Sequence, residues 1–407
     1  MTQDNNQLDE QLLSPDYFTD PYPAFRRLRE EDPVHWCEPW NCWIVSRYTD
    51  VLAGLRQDGR QFSAVGRFGA FLDALPEAER PRFQPIKDHY SVGLLHSDPP
   101  DHTRLRGLVS KAFTPQIMDG MRPRIEAVID ELLDAAEAAG QFDLIGDFAF
   151  HLPAIVTAVA IGIPPEERHQ FKVWSDDVAE YSASSRLTIE VAENALRSLL
   201  EARAYLLEIA ARRRTDPRDD LISRLVATED DELSQGELLS TCVTFLVGGH
   251  ETTTALLASG LLTLFRNPDQ LAALRDAPDA IATAVEEFLR YESPNQRIVR
   301  LAKEDIEIEG RSIKRGQQVM FLLASANRDS DQFPHPDRLD IHRSPNRHLA
   351  FAIGPHACFG MRLARLEAQI AFTALLSRFP NLRLTQPNPK WAPSYQLRML
   401  KSLPVSC

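Results

Sequence analysis

The stretch Phe351-Ala-Ile-Gly354-Pro-His356-Ala-Cys358-Phe-Gly360 places one cysteine between two glycines, directly before a segment of helical periodicity. That segment ends before Pro380, and its apolar residues recur at helical spacing, at Leu363, Leu366, Ile370, Leu375, Leu376 and Phe379. The periodicity predicts that Cys358 lies in the first helical turn, where unpaired N–H groups and the helix dipole favour a thiolate. An accessible thiolate can bind iron, and the two glycines permit a loop that lies flat against a large planar ligand.

This loop has the spacing Phe-x-x-Gly-x-His-x-Cys-x-Gly over positions 351 to 360. The spacing resembles the cysteine-ligand loop of the cytochrome P-450 superfamily, the haem-thiolate monooxygenases. The resemblance implies that Cys358 ligates the iron of a b-type haem (heme b, iron protoporphyrin IX), with Phe351, His356 and Gly360 beside the cofactor. From the loop alone, the alternative is a buried structural cysteine in a tight turn.

The composition is that of a large globular protein, with 407 residues, 43% of them hydrophobic, and a net charge of −13. This acidic balance argues against a nucleic-acid partner, because phosphate binding needs a basic surface. Five cysteines without paired density favour a reducing compartment, and the polar N-terminus does not resemble a signal peptide. The most apolar stretch, residues 152–163, contains Pro153 and is too short for a membrane span. We therefore expect a cytoplasmic protein without a membrane anchor.

A long helix is predicted from a capping box at Ser234 and Glu237 to Arg266, before Pro268. Its centre, Gly248-Gly249-His250-Glu251-Thr252-Thr253-Thr254, combines two glycines with three β-branched residues, which weaken a helix. Such a local inconsistency indicates function, and threonine hydroxyls can distort the turn by bonding to backbone carbonyls.

The central segment resembles the oxygen-activation motif of the superfamily, with Gly248 at a position where alanine is more frequent. The resemblance implies that Thr252 donates a hydrogen bond to the oxygen being activated and that Glu251 relays protons from solvent. It also implies that Gly248 and Gly249 contact the cofactor. For Glu251, a solvated or salt-bridged helix position is the alternative.

Four cationic positions resemble the haem-propionate ligands of the superfamily. His102 and Arg106 are one turn apart in the helix predicted after Pro99-Pro100, so they share a face. A guanidinium fork suits a carboxylate, and the resemblance implies that both residues clamp a propionate, with Arg300 and His356 as further ligands. Taken alone, a His/Arg pair of this spacing is more often a solvated face.

Glu287 and Arg290 form a Glu-x-x-Arg pair, which is weak evidence by itself. The pair lies between the long helix and the cysteine loop and resembles the buried Glu/Arg pair of the superfamily. In that family a downstream arginine completes the triad, and Arg338 is the matching position here. We expect the triad to be structural, because a paired buried charge network specifies geometry more than it stabilises.

Three residues are predicted to face the substrate pocket: Asn295, Val299 and Tyr395. An apolar residue is usual at the position of Asn295, which therefore either donates a hydrogen bond to substrate or bonds to nearby backbone. Tyr395 lies in a C-terminal segment that resembles a hairpin tip near the pocket.

These motifs predict one mainly α-helical domain over residues 1–407, with a long central helix and a small β-rich lobe, as in the cytochrome P-450 fold. The implied reaction inserts one oxygen atom from O2 into an apolar small molecule. No nucleotide motif is present, so electrons are expected from a separate ferredoxin or flavodoxin, docked at Arg362, Arg365 and Lys111. The alternatives are a peroxygenase that uses hydrogen peroxide and a non-catalytic haem-thiolate sensor.

Overall fold

The computed structural model describes residues 2–66, 70–164, 168–183, 187–228 and 233–407, and helices dominate it. In chain order the helices are α1 (Thr2–Leu13), α2 (Asp16–Thr19), α3 (Tyr22–Glu31), α4 (Tyr48–Arg56), α5 (Ala70–Asp73), α6 (Gln84–Ser91), α7 (Asp101–Ala112), α8 (Pro115–Gly120), α9 (Arg122–Ala139), α10 (His151–Ile161), α11 (Arg168–Ala183), α12 (Ile189–Thr215), α13 (Leu221–Val226), α14 (Gln235–Arg266), α15 (Pro268–Asp276), α16 (Ile281–Tyr291), α17 (Leu323–Ala326) and α18 (Met361–Arg378). The prediction of a mainly α-helical protein is confirmed.

The strands form small sheets. They are β1 (Val34–Cys37), β2 (Cys42–Val45), β3 (Phe62–Ser63), β4 (Gln141–Asp143), β5 (Arg297–Ala302), β6 (Ile306–Ile308), β7 (Arg311–Ile313), β8 (Gln318–Leu322), β9 (Arg383–Leu384) and β10 (Pro404–Ser406). The largest sheet has the order β1-β2-β8-β5-β3, a second has β4-β10-β9, and β6 pairs with β7. In the largest sheet β2 runs parallel to β8, while β5 is antiparallel to β8.

The chain groups into two compact units. Unit 1 comprises Met1–Ser63, Ile129–Ala149 and Thr252–Cys407, and unit 2 comprises Ala64–Val128 and Phe150–Glu251. All the strands named above lie in unit 1, together with the cysteine loop. In the described residues of unit 2 the secondary structure is helical. The expectation of a single domain stays a prediction.

The largest sheet packs a hydrophobic cluster on each face, as the alternation of side chains along a strand requires. Val45, Val319 and Phe321 contribute to one cluster, which includes residues of α4. Ile44, Met320 and Leu322 contribute to the other, which includes residues of α1 and α3. Strand β5, which carries Arg297 and Arg300, therefore has a hydrophobic cluster on each face, and both arginine side chains are buried.

The long helix α14 is continuous over 32 residues, close to the predicted length. Its capping box is formed as expected: the Ser234 hydroxyl accepts from the Glu237 N–H at 3.3 Å, and the Glu237 carboxylate accepts from the Ser234 N–H at 2.8 Å. The distortion expected at its centre does not interrupt the helix. The boundary between the units falls inside this helix, between Glu251 and Thr252.

One apolar stretch, Leu144–Ile161, is long and apolar enough to cross a membrane by length and composition, and 56% of it is buried. It is longer than the 12-residue run expected from the sequence because it extends back through a π-helical segment, Leu144–Ala149, that precedes α10. A buried core helix of a soluble protein passes the same test of length and composition.

Candidate active site

The loop before α18 holds Cys358 in a defined backbone conformation. The Cys358 N–H donates to the Phe351 carbonyl at 2.8 Å, and the Ala357 N–H donates to the Gly354 carbonyl at 3.1 Å. Gly354 has a φ of +78°, and a Cβ there would lie 2.4 Å from the Leu55 carbonyl oxygen. Only glycine therefore fits this position without strain, which explains the first glycine of the motif.

Cys358 differs from the other cysteines of the chain in its exposure. Its side chain is exposed, whereas Cys37, Cys42 and Cys242 are buried and Cys407 is intermediate. Burial raises the pKa of Cys42 and of Cys242 to about 12, so these thiols stay protonated at neutral pH. Because a thiolate is the form that ligates a metal, Cys358 is the cysteine suited to that role.

The predicted position of Cys358 relative to the helix needs a correction. Helix α18 begins at Met361 with Gly360 as its N-cap, so Cys358 lies two residues before the cap and outside the first turn. The apolar periodicity begins only at Leu363, so it does not locate the first residue of α18. The loop hydrogen bonds, rather than the helix, position the thiol.

An ion-pair network that the sequence analysis missed braces the same loop. Arg365 donates to Glu286 through Nε at 2.7 Å and Nη2 at 2.8 Å, and its guanidinium carbon lies 4.6 Å from the centre of the Phe351 ring. His348 Nε2 is 3.0 Å from the same carboxylate. Burial acts to raise the pKa of Glu286, but hydrogen bonds from His348 and Arg365 outweigh it and lower the pKa to about 2. Glu286 is therefore an anion that ties α16 to α18.

This contact changes the role expected for Arg365. The sequence analysis placed Arg365 on a docking surface with Arg362 and Lys111, but its side chain is only 31% exposed and bidentate to Glu286. Arg362 and Lys111 are exposed. The sequence could not separate Arg362 from Arg365, because the partner of Arg365 lies in another helix.

The predicted buried pair of Glu287 and Arg290 is present, and both side chains have no solvent exposure. Arg290 donates to Glu287 through Nε and Nη2, each at 2.8 Å. Its Nη1 donates to the carbonyls of Asn327 and Pro336 at 2.9 and 2.8 Å. These bonds attach α16 to the segment that leads to the cysteine loop.

The third member of the triad is Arg343, and the prediction of Arg338 was wrong. Arg343 Nε lies 3.2 and 3.1 Å from the two carboxylate oxygens of Glu287, with its side chain 9% exposed. The Arg338 side chain is exposed, and its backbone carbonyl accepts from Arg290. The reason is that residues 334–346 are irregular, so spacing along the chain does not determine which arginine points inward.

Arg300, predicted to bind a propionate, has a protein carboxylate as its partner. It donates to Asp58 through Nε at 2.7 Å and Nη2 at 2.9 Å, and both side chains are buried. Its Nη1 donates to the Val299 carbonyl at 3.0 Å. His356, the other predicted ligand in unit 1, is 9% exposed.

In unit 2, His102 and Arg106 lie on α7 as predicted. His102 is 2% exposed and Arg106 is half-buried, on the same side as the buried Leu105 and Val109. The neighbouring Arg104 is exposed and pairs with Glu237 of α14. This burial fits the expected inward-facing His/Arg pair and not the alternative, a solvent-exposed face. The propionate role of both residues stays a prediction.

The two glycines of α14 have different surroundings. A Cβ at Gly249 would lie 2.6 Å from Thr157 Oγ1 of α10, whereas a Cβ at Gly248 would meet no atom within 4 Å. Gly249 therefore permits a close helix–helix approach, a packing reason that the sequence analysis did not anticipate. Glu251 and Thr252 are half-buried. The Thr254 hydroxyl donates to the Ala149 carbonyl at 3.0 Å.

The three predicted pocket residues are all tied into the structure of unit 1. The Asn295 side-chain oxygen accepts a hydrogen bond from Gln396 Nε2, which also donates to the Arg297 carbonyl at 2.8 Å. Val299 and Tyr395 pack in the cluster between the sheet and α1. The partner of the Asn295 side chain is thus a side chain and not the nearby backbone expected from the sequence, and contact of these three residues with substrate stays a prediction.

The residues described here fit a haem with a thiolate ligand. Cys358 offers an exposed sulfur on a braced loop, and a Cβ at Gly360 would meet no atom within 4 Å, so the backbone there is open to a flat ligand. Arg300 and His356 of the same unit supply N–H donors of the kind that bind propionates. The donor set is that of a thiolate-ligated iron rather than of a zinc or iron–sulfur site, which would need further cysteines nearby.

Comparison with known proteins agrees with this geometry. The sequence profile described as "Cytochrome P-450" matches residues 182–404. The "Biotin biosynthesis cytochrome P-450" of Bacillus subtilis is 38% identical over 97% of this chain and 98% of that protein, and the "Polyketide biosynthesis cytochrome P-450 PksS" of the same organism is 39% identical over 96% of each. A crystal structure of the P-450 BioI with acyl carrier protein ligated to hexadec-9Z-enoic acid matches with a TM-score of 0.89 at 37% identity, covering 97% of this chain and 100% of that one. This chain is therefore a member of the cytochrome P-450 family, a haem-thiolate oxidoreductase of the bacterial type.

Proposed function

We propose that this P-450 inserts one oxygen atom of O2 into an apolar small molecule, by hydroxylation or epoxidation, with haem b as its cofactor. The observation that carries the proposal is the exposed Cys358 thiol on a loop braced by the Glu286 and Glu287 networks. A fixed loop supplies the single sulfur ligand that this chemistry needs. When bound, the haem supplies the iron at which O2 is activated.

Residues of the chain deliver the protons and orient the cofactor. Per turnover, substrate, O2, two electrons and two protons give the oxygenated product and one water. Thr252 donates a hydrogen bond to the oxygen that leaves as water, and Glu251 carries protons from solvent toward Thr252. His102, Arg106, Arg300 and His356 bind the propionates and orient the cofactor. Both Glu251 and Thr252 are half-buried, which suits groups that pass protons inward from water.

The substrate proposed is an apolar molecule with a long hydrocarbon body. The printed names of those relatives include biotin and polyketide biosynthesis, and the BioI structure contains an acyl chain on a carrier protein. Protein-bound and free acyl chains share an apolar body, so a long hydrocarbon is the chemical class to test first. We place the enzyme in the cytoplasm, where a separate ferredoxin or flavodoxin supplies the electrons.

One spectroscopic experiment tests the proposal. The purified protein, reduced under carbon monoxide, is expected to show the red-shifted Soret band of a sulfur-ligated haem, and Cys358→His is expected to lose it. A protein that does not take up haem, or a His variant with an unchanged band, contradicts the proposal. Turnover with NADPH and a surrogate ferredoxin pair, as opposed to turnover with hydrogen peroxide alone, then separates a monooxygenase from a peroxygenase; a sensor shows neither.

A further inference from the structure

Arg297, the first residue of β5, is a buried arginine in an aromatic surrounding. It is 8% exposed, and its guanidinium carbon lies 5.4 Å from the ring centres of both Trp40 and Tyr395. Its Nη1 faces the Met320 sulfur at 3.6 Å, a weak acceptor, and its buried Nε has no hydrogen-bond partner. We call Arg297, Trp40, Tyr395 and Met320 the Arg297 cage.

Most other buried arginines of unit 1 have a carboxylate as partner, whereas Arg29 bonds to the carbonyl and hydroxyl of Ser325. Arg290 binds Glu287 at 2.8 Å, Arg300 binds Asp58 at 2.7 Å and Arg398 binds Glu292 at 3.1 Å. Arg297 forms no ion pair with any residue in the described parts of the chain. In the described residues, the Nε of Arg297 is the one buried arginine nitrogen without a hydrogen-bond partner.

The titratable groups that act on Arg297 are neutral. They are the phenols of Tyr17 and Tyr395 and the thiols of Cys37 and Cys42. Burial raises the pKa of Tyr17 and of Cys42 to about 12, and it raises the pKa of Tyr395 and of Cys37 as well. At neutral pH these phenols and thiols are uncharged, so none of them is a counter-ion for Arg297. Arginine itself stays protonated in a protein.

We propose that the Arg297 cage binds the carboxylate of an amphipathic monocarboxylic acid, and thus recognises the polar end of the substrate. An uncompensated buried charge is strongly unfavourable, and an incoming anion relieves it. The buried Nε without a partner belongs to the edge of the guanidinium that pairs with both oxygens of a carboxylate. Aromatic rings beside it accommodate a hydrocarbon body and strengthen the charge interaction by excluding water. This inference rests on the proposed function for its meaning, but the binding event is independent of turnover.

The cage is preorganised by contacts outside it. Gln396 Nε2 donates to the Arg297 carbonyl at 2.8 Å and to Asn295, and Asn295 forms a bridge to Leu397. These bonds attach the segment that carries Tyr395 to the start of β5. Tyr395 also contacts Trp40 and Tyr17, with ring centres 4.9 and 5.1 Å apart. The rings and the charge therefore hold their places before any ligand arrives, which favours binding.

The test compares two ligands of equal chain length, decanoate and decan-1-ol, by calorimetric titration of the haem-loaded protein. Arg297→Gln is expected to weaken decanoate binding about 10- to 100-fold, the loss typical of a charge-assisted hydrogen-bonded pair, and to leave decanol binding unchanged. Arg297→Lys keeps the charge without the fork and is expected to give an intermediate decanoate affinity. Because an uncompensated charge is removed, the thermal unfolding midpoint of Arg297→Gln is expected not to fall.

Two results would overturn the inference. One is an Arg297→Gln protein that binds decanoate as tightly as the parent; the other is an equal loss for both ligands with a lower unfolding midpoint, which indicates a structural role. Binding is measured without electron donors, so an inactive enzyme that binds decanoate through Arg297 would contradict the proposed function alone.

Discussion

At the scale of single residues, neighbouring residues of one motif have different structural roles. Gly248 and Gly249 both belong to the glycine pair of α14, but a Cβ on the second would overlap Thr157, whereas a Cβ on the first would meet no atom within 4 Å. A motif thus records two different requirements, one for helix packing and one for open space. Further along the same helix, the Thr254 hydroxyl has a packing role, because it donates a hydrogen bond to the Ala149 carbonyl.

Substituting each glycine by alanine separates these requirements. Gly249→Ala is expected to lower the free energy of unfolding by about 1–3 kcal/mol, because the added methyl group overlaps Thr157. Gly248→Ala, the matched control, is expected to raise it by about 0.5–1 kcal/mol, since alanine favours the helix and meets no atom. Urea unfolding of both variants measures the difference; equal effects of the two substitutions would refute this account.

Removing the Thr252 hydroxyl tests the proposed proton delivery. Thr252→Ala is expected to lower product formation by about tenfold or more while NADPH consumption continues. Without the hydroxyl that directs proton delivery, the reduced oxygen is released as hydrogen peroxide instead of being inserted into substrate. Thr252→Ser keeps the hydroxyl and is expected to retain most of the product yield. Product, peroxide and NADPH are measured in the same reaction, and tight coupling in the alanine variant would exclude Thr252 from this role.

At the scale of secondary-structure elements, buried ion pairs fix how helices and strands are joined around the cysteine loop. Helix α16 contributes Glu286 to α18 and Glu287 to the irregular segment that contains Arg343. Two adjacent glutamates on one helix therefore point to different partners. A buried pair of this kind adds little net stability but penalises any other arrangement of the loop.

Arg343 and Arg338 provide a matched pair of substitutions. Arg343→Ala removes a donor from the buried Glu287 and is expected to lower the free energy of unfolding by about 2–3 kcal/mol. Arg338→Ala removes an exposed side chain and is expected to change it by less than about 0.5 kcal/mol. Chemical denaturation decides between them, and a larger effect at Arg338 would restore the original assignment of the triad.

A buried histidine joins α1 to the sheet and makes this junction sensitive to pH. His35 of β1 lies 2.9 Å from both Asp9 of α1 and Asp32, and Arg311 of β7 pairs with Asp32. Burial acts to lower the pKa of His35, but the hydrogen bonds to Asp32 and Asp9 outweigh it and raise the pKa. The charged imidazole therefore bridges two carboxylates in the folded state.

The raised pKa of His35 predicts the direction of a pH effect. The stability from this bridge is fully present below the unfolded pKa, about 6.5, and is lost as the pH rises through the higher folded value. The free energy of unfolding of the parent is thus expected to fall more steeply above about pH 6.5 than that of His35→Gln. Urea unfolding between about pH 5.5 and 9 measures both slopes. Parallel curves would show that His35 titrates alike in the folded and unfolded states.

At the scale of the whole molecule, the net charge affects how the protein meets an electron donor. The net charge of −13 repels an acidic electron donor at long range, so a productive encounter depends on a local basic surface. Arg362 of α18 is exposed, whereas the Arg365 side chain is only 31% exposed, so Arg362 is the better candidate for that surface on exposure.

Reversing the charge at Arg362 tests the docking surface. Arg362→Glu is expected to slow reduction by an acidic ferredoxin several-fold, most strongly at low ionic strength, because salt screens the attraction over about 10 Å at 0.1 M. Arg383→Glu, with the same charge change on β9, serves as the control. Stopped-flow reduction rates as a function of salt measure both, and similar losses in the two variants would indicate a net-charge effect instead of docking.

By itself the sequence determined the family, the capped long helix and the Glu287–Arg290 pair, because each depends on residues close together in the chain. Only the tertiary structure decided that Arg343 and not Arg338 reaches Glu287, that Arg365 is held by Glu286, and that Arg300 is paired with Asp58. These contacts join residues from 56 to 242 positions apart. Local pattern cannot determine them, since an arginine has the same local signal whether its charge meets solvent or a distant carboxylate.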